Sequence, residues 1–128
     1  MNPNLSTLLT ETDRIMAGGN GWHADPNLIL PSGVYRGTVH VGVDLGTAYT
    51  VLVVLDENNQ PIAGEYQFAQ VVRDGLVVDF VGAVDRLTAM KRRVEQRLGC
   101  ELKHASSGYP PGVAQVEVRA TANVVEAA

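Results

Sequence analysis

Two valine- and leucine-rich runs, His40–Leu45 and Tyr49–Leu55, restrict this chain most, because only the tight turn around Asp44-Leu45-Gly46-Thr47-Ala48 parts them. Runs of this composition favour strands, and the second is so nearly apolar throughout that it predicts a strand covered on both faces. Asp56-Glu57-Asn58-Asn59-Gln60-Pro61 is dense in turn formers. After it Ile62, Gly64, Tyr66 and Phe68 alternate with Ala63, Glu65 and Gln67, which predicts a third strand. Three consecutive antiparallel strands are therefore expected.

Past Arg73-Asp74-Gly75 the period changes from two to that of a helix. Phe80, Ala83, Val84, Leu87, Met90, Val94 and Leu98 form one apolar face, with Asp79 as N-cap and Gly99 as the residue that ends the helix. Arg93 and Arg97 then fall near its negative pole. Leu102–Ser106 reads as a short strand, Gly108-Tyr109-Pro110-Pro111-Gly112 as a rigid loop, and Val116–Ala128 as a second helix. The expected order is βββαβα on a mixed sheet, an α/β class.

The first 37 residues read differently. Leu5, Leu8, Leu9, Ile15 and Met16 are spaced for a short amphipathic helix, and Gly18, Gly19, Gly21, Pro26, Pro31 and Gly33 then break every period. Residues 1–37 are thus an extension with a Gly/Pro linker, and 38–128 the compact part. A chain of 128 residues supplies one core, too small for a two-lobed machine that closes over a substrate.

Composition narrows the function classes. Hydrophobic content of 45% against 19% charged argues for a folded chain, since enough apolar area exists to offset chain entropy. A net charge of −4, with no basic stripe beyond one helix, argues against nucleic acid as a partner. Cys100 stands alone, so no internal disulfide forms, and a reducing, cytoplasmic setting is expected. Its bland role is a small packed side chain. His23, His40 and His104 lie far apart without metal-ligand spacing. No run approaches the ~18 apolar residues of a membrane span. Lys91, Arg92, Arg93 and Arg97 share a helix with Asp85 and Glu95, the pattern of a solvated face. Trp22 sits in the linker, where it docks on the domain at most.

The chemistry concentrates at the first turn. Gly46 allows close backbone approach, Thr47 and Thr50 offer hydroxyls, and Asp44 can hold magnesium through its waters; together these are parts of a phosphate site. The same residues also suit an ordinary hairpin turn whose aspartate caps its own backbone.

Val41-Gly42-Val43-Asp44-Leu45-Gly46-Thr47-Ala48-Tyr49-Thr50 resembles the first phosphate loop of the actin, sugar-kinase and DnaK-type chaperone superfamily. Arg73-Asp74-Gly75-Leu76-Val77-Val78-Asp79-Phe80 resembles the stretch before the first helix of bacterial actin-like cell-shape proteins. Pro110-Pro111-Gly112 with Val116-Glu117-Val118-Arg119-Ala120 resembles their following loop and helix start. From His40 to Ala128 the chain resembles the amino-terminal part of the chaperonin-like proteins of ethanolamine-utilization and bacterial microcompartment operons.

That resemblance implies a ribonuclease-H-like, actin-type ATPase subdomain, truncated, with ATP and magnesium held in a cleft between two lobes. It implies nucleotide contacts by Asp44, Gly46, Thr47, Ala48, Tyr49 and Thr50, magnesium at Asp44, and a water-positioning role for Glu117, which a first-turn carboxylate favoured by the helix dipole would equally explain. Ala48 and Tyr49 depart from the relatives' threonine and asparagine, so fewer phosphate contacts are expected. A second phosphate loop and an adenosine-binding glycine segment are missing from the 128 residues, and the chain alone is expected not to hydrolyse ATP. Implied partners are clients of ethanolamine metabolism or a microcompartment shell, the amphipathic extension being either a recruiting tail or a helix packed on its own domain. A non-hydrolysing assembly scaffold and a cell-shape or pilus-type filament protein are the alternatives. Self-association through newly exposed apolar faces is expected of such a fragment.

Overall fold

The computed structural model describes residues 21–23, 34–69, 72–73, 76–77 and 79–128. Chain order is β1 (Gly21–His23), β2 (His40–Leu45), β3 (Tyr49–Leu55), β4 (Pro61–Phe68), β5 (Val72–Arg73), β6 (Leu76–Val77), α1 (Phe80–Leu98), β7 (Ser106–Ser107) and α2 (Gln115–Ala127). The expected helix over 4–16 lies outside the described residues, as do Asp74, Gly75 and Val78 of the segment before α1.

The three central strands form the expected antiparallel meander, with Val43 opposite Leu52 and Leu52 opposite Glu65. Turn chemistry fixes the second hairpin: the Asp56 carboxylate accepts from the Asn58 and Gln60 amides at 2.8 and 2.9 Å, and Asn59 takes φ 59°, which asparagine tolerates. β7 pairs parallel to β2, so the sheet is mixed, ordered β1-β4-β3-β2-β7, and β5–β6 form a separate small hairpin. The α/β class and mixed sheet expected from the sequence are present.

α1 obeys its caps. The Asp79 carboxylate accepts from the Gly82 amide at 2.9 Å, and Gly99 ends the helix at φ 66°, the left-handed conformation glycine adopts without cost. Ala83, Leu87, Met90, Val94 and Leu98 are buried against Leu52, Val54 and Ala63 of the sheet in one core. Withdrawing each larger side chain from water is worth roughly 1.5–3 kcal/mol. Phe80, expected on this buried face, is 43% exposed at the first position of the helix.

Several expectations give way. Cover on both faces is not seen among the described residues: α1 and α2 pack on one side, where Val41, Val43, Leu45, Leu52 and Val54 point, while Val51 and Val53 are only half-buried on the other. On that open side Tyr49 meets Phe68 edge-on at 5.7 Å and Tyr66 at 6.1 Å, so the aromatics shield one another. Strand β4 does not keep its Ile62/Gly64/Tyr66/Phe68 set on one face: Ile62 and Gly64 are buried, Tyr66 is half-buried and Phe68 is exposed. A register shift between Val54 and Leu55 puts Ile62 and Ala63 both inside, and the next inward residue is Glu65, 3% exposed.

The buried Glu65 carboxylate explains a second correction. Arg93 and Arg97 are neither a solvated face nor helix-pole charges alone: Arg93 Nε donates to Glu65 at 3.1 Å, Arg97 pairs with the other carboxylate oxygen, and Arg97 also donates to the Gly64 carbonyl at 3.1 Å. The strand read over Leu102–Ser106 is shorter and later, Ser106–Ser107, since Leu102 turns its side chain into the core. The second helix runs Gln115–Ala127 rather than Val116–Ala128. Within the stretch read as linker, Gly21–His23 adds an edge strand to β4, and the Tyr35 amide donates to the Leu98 carbonyl at 2.6 Å.

Candidate functional site

The β2–β3 turn projects from one end of the sheet, and its geometry follows from a single close approach. The Gly46 amide donates to the Tyr49 carbonyl at 2.9 Å, and a Cβ on residue 46 would lie 2.8 Å from that same oxygen. Only glycine closes the turn without displacing backbone. Its amide is therefore committed to the turn. The Ala48 carbonyl accepts from the Ala69 amide at 2.8 Å, which pins the loop's far side to the end of β4.

A cleft of about 310 Å³ opens beside this turn. One wall is Asp44, Leu45, Gly46 and Thr47; the other is Gly108, Tyr109, Pro110 and Val113 of the loop before α2, with Thr121 of α2 completing it. Asp44 is the last outward-facing residue of β2 and Thr47 stands exposed at the loop tip. Gly112, at φ 82°, turns the loop back into α2. Asp44 and Gly108 also line a shallower hollow of about 450 Å³ on the open sheet face, beside Gly42, Val51, Val53 and Ser106.

Three of the residues singled out in the sequence meet in the cleft: Asp44, Gly46 and Thr47. The others are placed elsewhere. Thr50 is 1% exposed, on the core side of β3, and its hydroxyl has no hydrogen-bond partner among the described residues. Tyr49 turns its ring to Tyr66 and Phe68 on the open face. Ala48 contributes its carbonyl to the turn rather than lining the cleft. Glu117 lies in the first turn of α2, one helical turn before Thr121, and does not line the cleft.

Among the described residues the lining contains Asp44 but no lysine, arginine or histidine. A bare polyphosphate would be repelled by Asp44, whereas its magnesium complex would meet an exposed carboxylate suited to an outer-sphere contact and neutral hydroxyl donors on both walls. The donor set thus fits a magnesium-bound anion. Among the described residues no group of three His, Cys, Asp or Glu side chains could enclose a metal by itself. No described helix is long and apolar enough to cross a membrane. Tyr109 and Thr121 escaped the sequence reading, because spacing brings no signal from a loop and helix some 60 residues away.

No family model matches the chain. It is similar to the ethanolamine utilization protein EutJ of Salmonella typhimurium (strain LT2), 46% identical over 88 residues that make up 69% of this chain and 30% of that protein. The corresponding Escherichia coli (strain K12) protein is 42% identical over 88 residues, 69% of this chain and 31% of that protein. The match thus spans less than a third of the curated relatives' length. Among solved structures, ethanolamine utilization protein EutJ from Carboxydothermus hydrogenoformans superposes with a TM-score of 0.75 at 35% identity, over 98% of this chain and 43% of that one. The fold is that of part of EutJ, the actin-type, ribonuclease-H-like α/β arrangement expected from the sequence.

Proposed function

We propose that this chain, similar to part of EutJ, supplies the first phosphate-binding wall of an actin-type nucleotide site serving ethanolamine utilization. The observation that carries the reading is the meeting of Asp44, Gly46 and Thr47 in one cleft against the Gly108–Pro110 loop and Thr121. In that reading Thr47 donates to a phosphate oxygen, Gly46 keeps the turn narrow enough for the phosphate to approach, and Asp44 faces the waters of magnesium. Magnesium offsets phosphate charge that this wall cannot neutralise by itself. The nucleotide is ATP, and its binding biases contacts with a client of ethanolamine metabolism or with a microcompartment shell.

A second reading, a nucleotide-binding assembly scaffold without turnover, is favoured by one observation: Glu117 lies outside the cleft, leaving Asp44 its sole carboxylate among the described residues. Equilibrium titration of the chain with magnesium-ATP tests the shared claim. Saturable binding that Asp44→Ala weakens at least tenfold supports it. Binding that is absent, or indifferent to Asp44→Ala, overturns it. Turnover stimulated by a client, measured on the longest natural form of the protein, then separates machine from scaffold.

A further inference from the structure

The sequence pattern assigned two hydroxyls to the phosphate, from Thr47 and Thr50, and the structure retains only one of them in the cleft. Thr50 faces the core at 1% exposure. For its hydroxyl to reach the cleft, β3 would have to rotate its buried side outward, against the burial of Leu52 and Val54 on the same face.

We infer that Thr121 of α2 supplies the second hydroxyl of the phosphate cleft, in place of Thr50. The inference rests on the reading of this cleft as a phosphate site. Thr121 lines the cleft opposite the β2–β3 turn, and it is the residue through which α2 enters that lining. Helix geometry reinforces the choice. Glu117 precedes Thr121 by four residues and so shares its face, about 6 Å further toward the helix start. Thr121 therefore stands where a side chain of this helix face meets the cleft, and a neutral donor there adds no negative charge beside Asp44.

The lining's composition gives that donor its weight. With no cationic side chain on either wall among the described residues, phosphate oxygens that magnesium does not occupy depend there on neutral O–H and N–H groups. Thr47 lies on the turn and Thr121 on the helix, with the Tyr109 phenol a third hydroxyl-bearing side chain in the lining, so Thr47 and Thr121 would hold an anion from two different elements. A competing account is local: a helical threonine can turn its hydroxyl back to the carbonyl four residues earlier, here that of Glu117. The two accounts differ in what a ligand does to Thr121.

Magnesium-ATP titration of the 128-residue chain, followed calorimetrically and by the Thr121 methyl resonance, distinguishes them. Thr121→Val is expected to weaken binding roughly tenfold, the loss of one hydrogen bond to a charged acceptor. Thr121→Ser, which keeps the hydroxyl, should stay within about threefold of the parent, and the Thr121 methyl should shift on saturation. A thermal melt shows that each variant folds. If Thr121→Val binds as the parent does while Asp44→Ala loses binding, the assignment of Thr121 is wrong and the phosphate cleft stands. If the parent does not bind, or Asp44→Ala binds equally well, both fail. Equal loss in Thr121→Val and Thr121→Ser with an unmoved methyl also overturns the assignment, since packing rather than the hydroxyl is then what the variants removed.

Discussion

Replacing Arg97 by methionine should destabilise the fold far more than the same change at Arg93, although both guanidiniums contact one carboxylate. Glu65 is 3% exposed and cannot recover water when a partner is lost. Arg97 is 22% exposed, pairs with Glu65 and also donates to the Gly64 carbonyl at 3.1 Å, so it joins α1 to the centre of β4 twice. Burial lowers the pKa of its guanidinium, yet an arginine stays charged in this setting. Methionine keeps the aliphatic stem and removes only the charge and donors. Stranding a buried carboxylate typically costs 3–5 kcal/mol, and the remaining Arg93 contact brings the expectation to about 3 kcal/mol. Arg93 is 44% exposed, so solvent screens its contribution, and Arg93→Met should cost about 1 kcal/mol or less. At roughly 4 °C per kcal/mol for a domain of this size, the melting temperature should fall by about 12 °C in the first variant and about 4 °C or less in the second. Glu65→Leu with Arg97→Met should recover much of the loss, because no unpaired charge then remains inside. Circular-dichroism melts of the four proteins decide it. Equal falls in the two single variants, or a double variant less stable than Arg97→Met alone, would refute the reasoning.

Other perturbations read different parts of the account. Thr50→Val removes a buried hydroxyl that has no partner among the described residues, and should raise stability by about 1 kcal/mol in urea titrations while leaving magnesium-ATP affinity unchanged; weakened binding would restore Thr50 to the site. Burial, and secondarily the Glu95 charge, pushes the Cys100 thiol pKa up, so less thiolate is present at a given pH and iodoacetamide should alkylate the native chain more slowly at pH 8 than the urea-unfolded one. The same raised pKa makes its contribution to stability complete below the unfolded thiol's value, about 8.5, and lost as pH rises through the folded value. Phosphate-release assays on the 128-residue chain should show no turnover above background, because Glu117 lies off the cleft; hydrolysis abolished by Asp44→Ala would contradict this.

Most of the architecture was legible because local rules and tertiary packing agree there. The valine runs of β2 and β3, the Asp56 turn, the Asp79 cap and the Gly99 terminus each announce themselves within a few residues. Glu65 was not legible, since a glutamate inside a period-two pattern reads as outward-facing until a register shift and two arginines some thirty residues later reverse it. β1 hid among glycines, its strand character supplied by the ladder of β4 rather than by its own side chains. At the site, the turn residues Asp44, Gly46 and Thr47 followed from pattern and resemblance. Thr50 lies on the core face, a placement the motif does not reveal because it carries no record of which sheet face is buried, and Tyr109 and Thr121 could not be found because chain folding alone brings them to the turn.

Magnesium-ATP binding at the β2–β3 turn can be mapped residue by residue. Amide resonance mapping of the isotope-labelled protein during titration should move Gly46, Thr47, Gly108 and Thr121 together, leave Glu65 and Val94 in place, and lose all of these shifts when magnesium is chelated. Shifts confined to another surface, such as the groove of Lys91, Lys103 and His104, or none at millimolar nucleotide, would contradict it.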